Sequence, residues 1–404
     1  MRIGIITYYR VANFGANLQA VSTYRYLEQA GHEPIFIHYM SRQLYEVNDG
    51  SYDTNPQVKA HLDFVDSVIT RQTETCFTAD DVNRAIEKHG IEAIIIGSDA
   101  VLQHHPLLSR IHVVGRRVKR LRREKVNDER MFPNLFWGCG ITPSIKKALM
   151  SVSSQNSAYR YISSSKKRNM RNTLNEFSFI SVRDTWAQKM VRFIADKEVP
   201  ITPDPVFAFR HHAEDLIPSK EHILTKFGLP EKYILVSFLN VHIPSNIING
   251  LKDRFGQNAY CVALPSPLGL RFSHNYDYEI ALPLSPIDWY ALIAHSCGYI
   301  GNNMHPVVVA LSNGVPCFSI DNYSNYNFWS QPIDDGASKI EDLLKYFNLQ
   351  EYRMVPYKDN TDGLDERIAK QIMSFPKNEV LQFSEKKYNG YITMMDSILN
   401  AIRP

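Results

Sequence analysis

Apolar positions along this chain fall in short unbroken runs, separated by longer stretches of mixed character. That alternation is expected of buried parallel strands and their crossover helices. Arg2–Tyr8 is the first run and shows no water-facing alternation. Asn13-Phe14-Gly15-Ala16-Asn17 reads as a turn, a helix continues to about Ala30 where Gly31 ends it, and Glu33–Tyr39 is the next strand. A βαβ unit of this size predicts a doubly wound α/β domain.

The pattern repeats. Ala79–His89 reads as a helix stopped by Gly90, and Ala93–Ile96 as a buried strand running into Gly97-Ser98-Asp99. Strands follow at Ala148–Ser153, Phe179–Val182 and Ile201–Phe207, with helices at Ser164–Asn175 and Thr185–Ala195. His211–Lys226 is polar and irregular enough for a linker. A second α/β run then gives strands at Tyr233–Leu239, Tyr260–Leu264, Gly298–Ile300 and Pro316–Ile320, with helices at Asn246–Phe255, Asp288–His295 and Pro306–Ser312. A long helix over Asn378–Ile402 can reach back across another domain.

The expected fold class is therefore α/β, with two Rossmann-like doubly wound domains facing across a cleft, the GT-B plan. The expected division is 1–210 with an insert at about 104–146, then 227–377, with 378–404 packing back on the first domain.

Composition adds limits. The chain has 404 residues, 44% hydrophobic and 22% charged, so each half can bury a core. Five scattered cysteines show no CxxC pair or zinc spacing, which fits reduced thiols in a cytoplasmic protein. No signal-peptide pattern opens the chain, and no apolar stretch is long enough to span a bilayer.

Ligands of open α/β sheets sit at the carboxyl ends of the strands. The residues there are Asn13, Gly15, Asn17 and Gln19, then Ser98 and Asp99, Arg183, Asp204, and Asn302, Asn303 and His305. This set is polar and cationic at Arg183 and His305, and it can offer helix N-terminal amides, so it suits a small anion. Each residue also has a plain structural reading: Asn13 and Gly15 shape a turn, Asp99 caps a segment, Arg183-Asp184 is an ion pair, and His305 starts a helix. GxGxxG, Walker A, HExxH and GxSxG signatures do not occur. Pattern alone stops at a two-domain α/β protein that binds an anion.

Five segments in order carry a resemblance beyond that. They are Gly4–Tyr8 with Asn13-Phe14-Gly15-Ala16-Asn17-Leu18-Gln19, Ile95-Ile96-Gly97-Ser98-Asp99, Ile180-Ser181-Val182-Arg183-Asp184, Thr202-Pro203-Asp204-Pro205-Val206, and Gly301–Pro306 with Gly314-Val315-Pro316. Over most of its length the chain resembles the polysaccharide pyruvyl transferase family. The resemblance implies transfer of pyruvate from phosphoenolpyruvate as a ketal bridging two hydroxyls of a hexose. The acceptor would be a capsular or exopolysaccharide precursor, suited to a polyprenyl-diphosphate carrier, and phosphate would be released.

The resemblance also implies His305 and Asp99 as catalytic residues. The donor would be held by Arg183, Asn303, His305, Asn13, Gly15 and Ser98, and the acceptor by Asn17, Gln19, Tyr323 and Trp329. Neither a metal nor a cofactor is implied, phosphoenolpyruvate being a co-substrate. Relatives can carry Arg two places before the histidine, where this chain has Asn303. Another cation must then grip the phosphate, and Arg271 is a candidate on charge. Two other readings fit the architecture: a nucleotide-sugar glycosyltransferase, and a catalytically silent scaffold in which Asn303 marks a lost donor site.

Charge is uneven. Arg110–Arg130 holds nine Lys/Arg and three acids, 9 − 3 = +6, in a chain whose net charge is +3. Leu107, Ile111, Val114, Val118 and Leu121 recur at helical spacing among these cations. A basic amphipathic helix there, with Phe132, Leu135, Phe136 and Trp137 beyond it, would lie on an anionic membrane surface through the Arg116–Lys125 segment. The protein would then be cytoplasmic and peripheral to the inner membrane face. Nucleic acid is not an expected partner, since no recognition fold accompanies the basic run.

Overall fold

The computed structural model describes residues 1–403 except 116–117, 240–244, 257–258, 273, 323–324 and 334–335. The first half runs β1 (Arg2–Ile6), α1 (Phe14–Gln29), β2 (Glu33–Phe36), α2 (Arg42–Val47), α3 (Pro56–Val68), α4 (Ala79–His89) and β3 (Ala93–Asp99). It continues with β4 (Ile111–Val114), β5 (Arg120–Arg123), β6 (Lys146–Val152), α5 (Ser164–Asn175), β7 (Phe179–Val182), α6 (Thr185–Ala195) and α7 (Val206–His212). Its main sheet is five-stranded and parallel, ordered β2-β1-β3-β6-β7. Strand β1 lies between β2 and the central β3, with Ile3 beside Ala93 and Ile5 beside Ile95, and both faces of these strands are buried, which explains their unbroken apolar runs.

The second half comprises α8 (Lys220–Phe227), β8 (Tyr233–Ser237), α9 (Ser245–Phe255), β9 (Tyr260–Ala263), β10 (Tyr278–Glu279), α10 (Pro286–Ala294), β11 (Gly298–Gly301) and α11 (Met304–Ser312). Then come β12 (Cys317–Ile320), β13 (Asn325–Tyr326), β14 (Pro332–Ile333), α12 (Lys339–Tyr346), β15 (Arg353–Met354), α13 (Leu364–Met373) and α14 (Lys377–Ala401). A six-stranded parallel sheet orders as β10-β9-β8-β11-β12-β15. Strand order reverses between β1 and β3 in one sheet and between β8 and β11 in the other. Those two crevices meet at the interface between the halves.

Several contacts hold the halves together. Phe14 stacks on Trp289, with ring centroids 4.9 Å apart and planes 9° from parallel. The Gln57 amide donates to the Leu284 carbonyl at 2.8 Å and accepts from the Leu284 N–H at 2.7 Å. On α14, Ser384 donates to the Leu311 carbonyl at 2.7 Å, while Tyr391 sits edge-on against Tyr26 of α1. The long helix thus touches both halves.

Four expectations are corrected. Ile111–Val114 and Arg120–Arg123 pair as an antiparallel hairpin of β4 with β5, not as an amphipathic helix. β-branched Ile111, Val113 and Val114 favour extended backbone. Gly115 has φ +105°, and a Cβ there would meet the Val118 carbonyl oxygen at 2.2 Å, so the chain turns instead of coiling. Arg116 and Arg117 lie outside the described residues. Phe132, Leu135, Phe136 and Trp137 are buried in the core, the Trp137 indole donating to the Gln103 carbonyl at 2.9 Å, and so cannot enter a membrane. Of the strand expected over Ile201–Phe207, Ile201 alone bridges to the first sheet, beside Val182, and from Val206 the chain is helical. Pro203 and Pro205 lack the N–H a longer strand would need. The supposed linker holds α8, capped by Ser219, whose side chain accepts from the His222 N–H at 3.2 Å.

Candidate active site

The site is built where the two crevices meet. Three features of the β1–α1 loop set its floor. Asn13 caps α1, its side-chain oxygen accepting the Ala16 N–H at 3.2 Å. Asn17 is wholly enclosed: its amide donates to the carbonyls of Tyr9 at 2.5 Å and Val11 at 3.2 Å, and its oxygen meets His61 Nδ1 at 2.6 Å. Gly15 leaves room for a ring, since a Cβ on it would stand 2.1 Å from His305 Nδ1.

His305 rises from the first turn of α11, on the opposite half. Its Nε2 faces Gln19 Nε2 at 3.3 Å and Asp204 Oδ2 at 3.7 Å. The Gln19 amide donates to that same carboxylate oxygen at 2.7 Å. Asp204 Oδ2 also accepts from Arg183 Nη1 at 2.7 Å, and Arg183 Nη2 reaches Asp99 Oδ1 at 3.6 Å. Asp99 closes β3 at φ +78°, a rare conformation for a non-glycine residue, and its carboxylate accepts its neighbour's N–H, from Ala100, at 2.7 Å.

Three titratable groups are displaced from their ordinary values. Burial pushes the His305 imidazole down, and Arg183 and Lys339 add to that, against the pull of Asp204 and Asp99. Burial alone would raise the Asp204 carboxyl, but Arg183, His305 and the Val206 N–H hold it below the carboxylate range. Burial lowers the Lys339 ammonium to about 8 despite Asp184, Asp99 and Asp204. At neutral pH the unliganded cluster is therefore a neutral imidazole among two cations and a set of carboxylates. Arg183 Nε is buried and has no hydrogen-bond partner among the described residues.

Two cavities share Met304; His305 lines the first, and Asp204, whose Oδ2 is 3.7 Å from His305 Nε2, lines the second. One, of about 200 Å³, is lined by Asn13, Gly15, Trp289, Asn303 and His305, and by Ser266 between its two prolines; no Lys or Arg is among its described lining residues. The other, of about 440 Å³, is lined by Arg183, Asp204, Lys339, Tyr346 and Lys387, among others. Lys387 stands over the Tyr346 ring at 3.5 Å, and burial lowers its ammonium to about 8 as well.

The structure thus gathers His305, Arg183, Asp99, Gly15, Asn13, Asn303 and Gln19, and sets other expected residues aside. Asn17 has both amide hydrogens committed to backbone and shapes the loop; it is not an acceptor contact. Ser98 is buried and donates to the Ser151 carbonyl at 3.0 Å, so its hydroxyl is not offered to a donor. Trp329 stands on the β13–β14 hairpin under Lys119 and lines neither cavity. Tyr323 lies outside the described residues. Arg271 is exposed and lines neither cavity. Sequence reasoning missed Lys339 and undervalued Asp204, which accepts from both Arg183 and Gln19.

With this geometry in hand, the comparisons fit. A family model described as Polysaccharide pyruvyl transferase matches residues 13–325. No curated protein matches the chain significantly. Among solved structures, UDP-GlcNAc 2-epimerase from Neisseria meningitidis bound to UDP-GlcNAc is similar at TM-score 0.58 and 10% identity, over 99% of this chain and 100% of that one. Methanocaldococcus jannaschii UDP-GlcNAc 2-epimerase in complex with UDP-GlcNAc and UDP gives 0.51 and 12% identity, over 96% and 100%. The glycotransferase of kitacinnamycin gives 0.50 and 10% identity, over 100% and 99%. At such identities the likeness concerns the fold, which is two Rossmann-like domains in the GT-B manner.

Proposed function

The chain belongs to the polysaccharide pyruvyl transferase family, and from that premise we propose that it transfers pyruvate from phosphoenolpyruvate to two hydroxyls of a hexose in a surface-polysaccharide precursor, as a ketal. One observation carries this reading. Arg183, whose buried Nε has no partner among the described residues, and Lys339 line one cavity together with Asp204, while the neighbouring cavity, lined by His305, has no Lys or Arg among its described lining residues. A compact polyanion matches the first. A sugar, offering hydroxyls and an apolar face, matches the second, with its Trp289 and prolines.

The chemistry then divides as follows. Arg183 and Lys339 hold the phosphate and carboxylate, Lys339 taking the place of the arginine that Asn303 lacks. The bound anion favours imidazolium at His305, which donates its proton to C3 of the enol. C2 becomes oxocarbenium-like, and the first sugar hydroxyl adds to it while losing its proton to a base. Asp99, whose Oδ1 lies 3.6 Å from Arg183 Nη2, serves as that base or as stabiliser of the developing cation. The C2–O bond to phosphate then breaks, and the second hydroxyl closes the ketal ring with its proton leaving on inorganic phosphate. Atoms balance without a metal or a further cofactor.

Calorimetric titration with phosphoenolpyruvate, and with UDP-GlcNAc as the comparison ligand, tests the reading. Binding of phosphoenolpyruvate that Arg183→Ala abolishes, with phosphate released when a hexose acceptor is added, is the expected result. Binding of the nucleotide sugar alone would replace it with glycosyl transfer.

A further inference from the structure

The two small hairpins that interrupt the α/β pattern are not independent. The first, β4 with β5, follows β3, the strand that ends at Asp99. The second, β13 with β14, follows β12 in the other sheet. They meet edge to edge: the Val113 N–H donates to the Phe328 carbonyl at 2.8 Å, and Ser330 Oγ donates to the Val113 carbonyl at 2.8 Å. Lys119 lies over the Trp329 ring at 4.9 Å. Both hairpins follow the carboxyl ends of strands, so the joined pair stands at the rim of the cleft and spans the two halves.

The hairpins and the turn that precedes the first expose two kinds of residue. Leu108, Val118, Leu121, Phe328 and Trp329 are 67%, 65%, 71%, 49% and 56% exposed, which is unusual for a cluster of large apolar side chains. Lys119, Arg120, Arg122, Arg123 and Lys125 are exposed beside them, with Glu124 the one acid between 118 and 125. Packing on this chain does not explain the apolar residues. A soluble polyanion would satisfy the cations and give nothing to Leu108 or Leu121. An anionic bilayer satisfies both at once, taking the charges at its phosphates and the leucines and Trp329 at the acyl boundary.

We infer that the joined hairpins dock on an anionic lipid surface and hold the cleft rim at headgroup level. The surface is carried by β-hairpins, and each half of the protein contributes one, so docking also fixes how the cleft faces the bilayer. No helix among the described residues is long and apolar enough to cross a membrane.

Vesicle co-sedimentation tests this with the full chain. Vesicles containing phosphatidylglycerol should bind it, and pure phosphatidylcholine should not. Each basic residue near such a surface is worth roughly fivefold in affinity, so the triple variant Arg120→Glu, Arg122→Glu, Arg123→Glu should lose at least roughly a hundredfold. Leu121→Gln should weaken binding without any change in charge. Both variants alter exposed side chains, and phosphoenolpyruvate binding serves to check that the fold is intact. The tryptophans supply a second readout, because Trp137, Trp186 and Trp289 are buried and Trp329 is exposed. Brominated lipid should quench Trp329, and Trp329→Phe should remove that quenching. Absence of sedimentation with phosphatidylglycerol overturns the inference. So does binding that Leu121→Gln leaves unchanged and that a soluble polyanion such as heparin competes away, which would mark a polyanion site.

Discussion

The Cα of Gly15 and the imidazole of His305 are in contact across the interface between the two halves: a Cβ on Gly15 would stand 2.1 Å from Nδ1 and 2.2 Å from Cγ. The ring is therefore fixed on one face by backbone from the first half, while its Nε2 looks toward Asp204 and Gln19. Gly15 belongs to α1 and its φ is not positive, so the glycine is required by the ring and not by the helix.

That contact makes Gly15→Ala a selective probe. Alanine is the better helix former by about 1 kcal/mol, so α1 itself gains. The imidazole, however, must move by an ångström or more, and a displacement of that size costs about a hundredfold in rate. We expect turnover to fall by about that factor while circular dichroism is unchanged. The double variant Gly15→Ala, His305→Ala should be no slower than His305→Ala alone, because no ring is left to displace. Additive losses would show that Gly15 acts elsewhere.

Lys339 should set an alkaline limit on donor binding. Its ammonium is lowered to about 8, so it is charged below that pH and neutral above it. The KM for phosphoenolpyruvate should therefore rise as pH climbs through about 8. Below about pH 8 Lys339→Ala should raise KM by about ten- to a hundredfold, the effect of losing a charge-assisted contact of about 1.5–3 kcal/mol, and the difference from wild type should shrink above it. Lys339→Arg should keep the affinity and remove the pH limb, since a guanidinium does not titrate there. A pH limb that survives in Lys339→Arg would assign it to another group.

How far the site could be read in advance depended on where each residue sits. Arg183, Asp99 and His305 end strands or start helices whose apolar runs are plain in the sequence, so their convergence followed from the fold. Lys339 follows a stretch with two-residue strands and no periodicity, and only Ser338 and Glu341 mark its helix as a cap, the Ser338 side chain accepting the Glu341 N–H at 3.1 Å. Asn17 and Ser98 misled because a polar residue at a strand end looks the same whether it faces a ligand or a backbone carbonyl. The basic insert misled for another reason. Its apolar spacing fits a helix, but Gly115 and the β-branched residues before it favour a turn and strands, and local backbone preference prevailed. Helix α3 went unread although Asn55 caps it and Pro56 occupies its first position.

The Arg183–Asp204 pair should be structural as well as functional. Both side chains are almost completely buried, and Arg183 has Asp99 as its only other carboxylate within 4 Å among the described residues. Asp204→Asn leaves that guanidinium undercompensated, and breaking a buried pair costs about 3 kcal/mol or more. The sign with pH follows from the depressed carboxyl. Its contribution is full above the unfolded carboxylate value near pH 4 and is lost as pH falls through the lower folded value. Denaturant midpoints of the wild type should fall steeply from pH 4 downward. In Asp204→Asn they should start lower and fall less. Equal slopes would mean that Asp204 is not the group responsible.

His305 must change its protonation between the free and the bound enzyme if it is the acid. Burial, Arg183 and Lys339 keep the imidazole below its ordinary 6.5 when the cavity is free, and a phosphate and a carboxylate brought against it act in the opposite direction. The pH dependence of kcat/KM reports the free enzyme and that of kcat the complex. The fall of kcat/KM with rising pH should therefore begin below pH 6.5, and the fall of kcat at a distinctly higher pH. Removing a carboxylate that supports imidazolium, as in Asp99→Asn, should move the kcat/KM limb to still lower pH. Coincident limbs in the wild type, or near-normal turnover in His305→Ala, would reduce the histidine to a phosphate contact. The proton for C3 would then have to come from another group, and Lys339, the other lowered cation facing the cluster, would be the next to test.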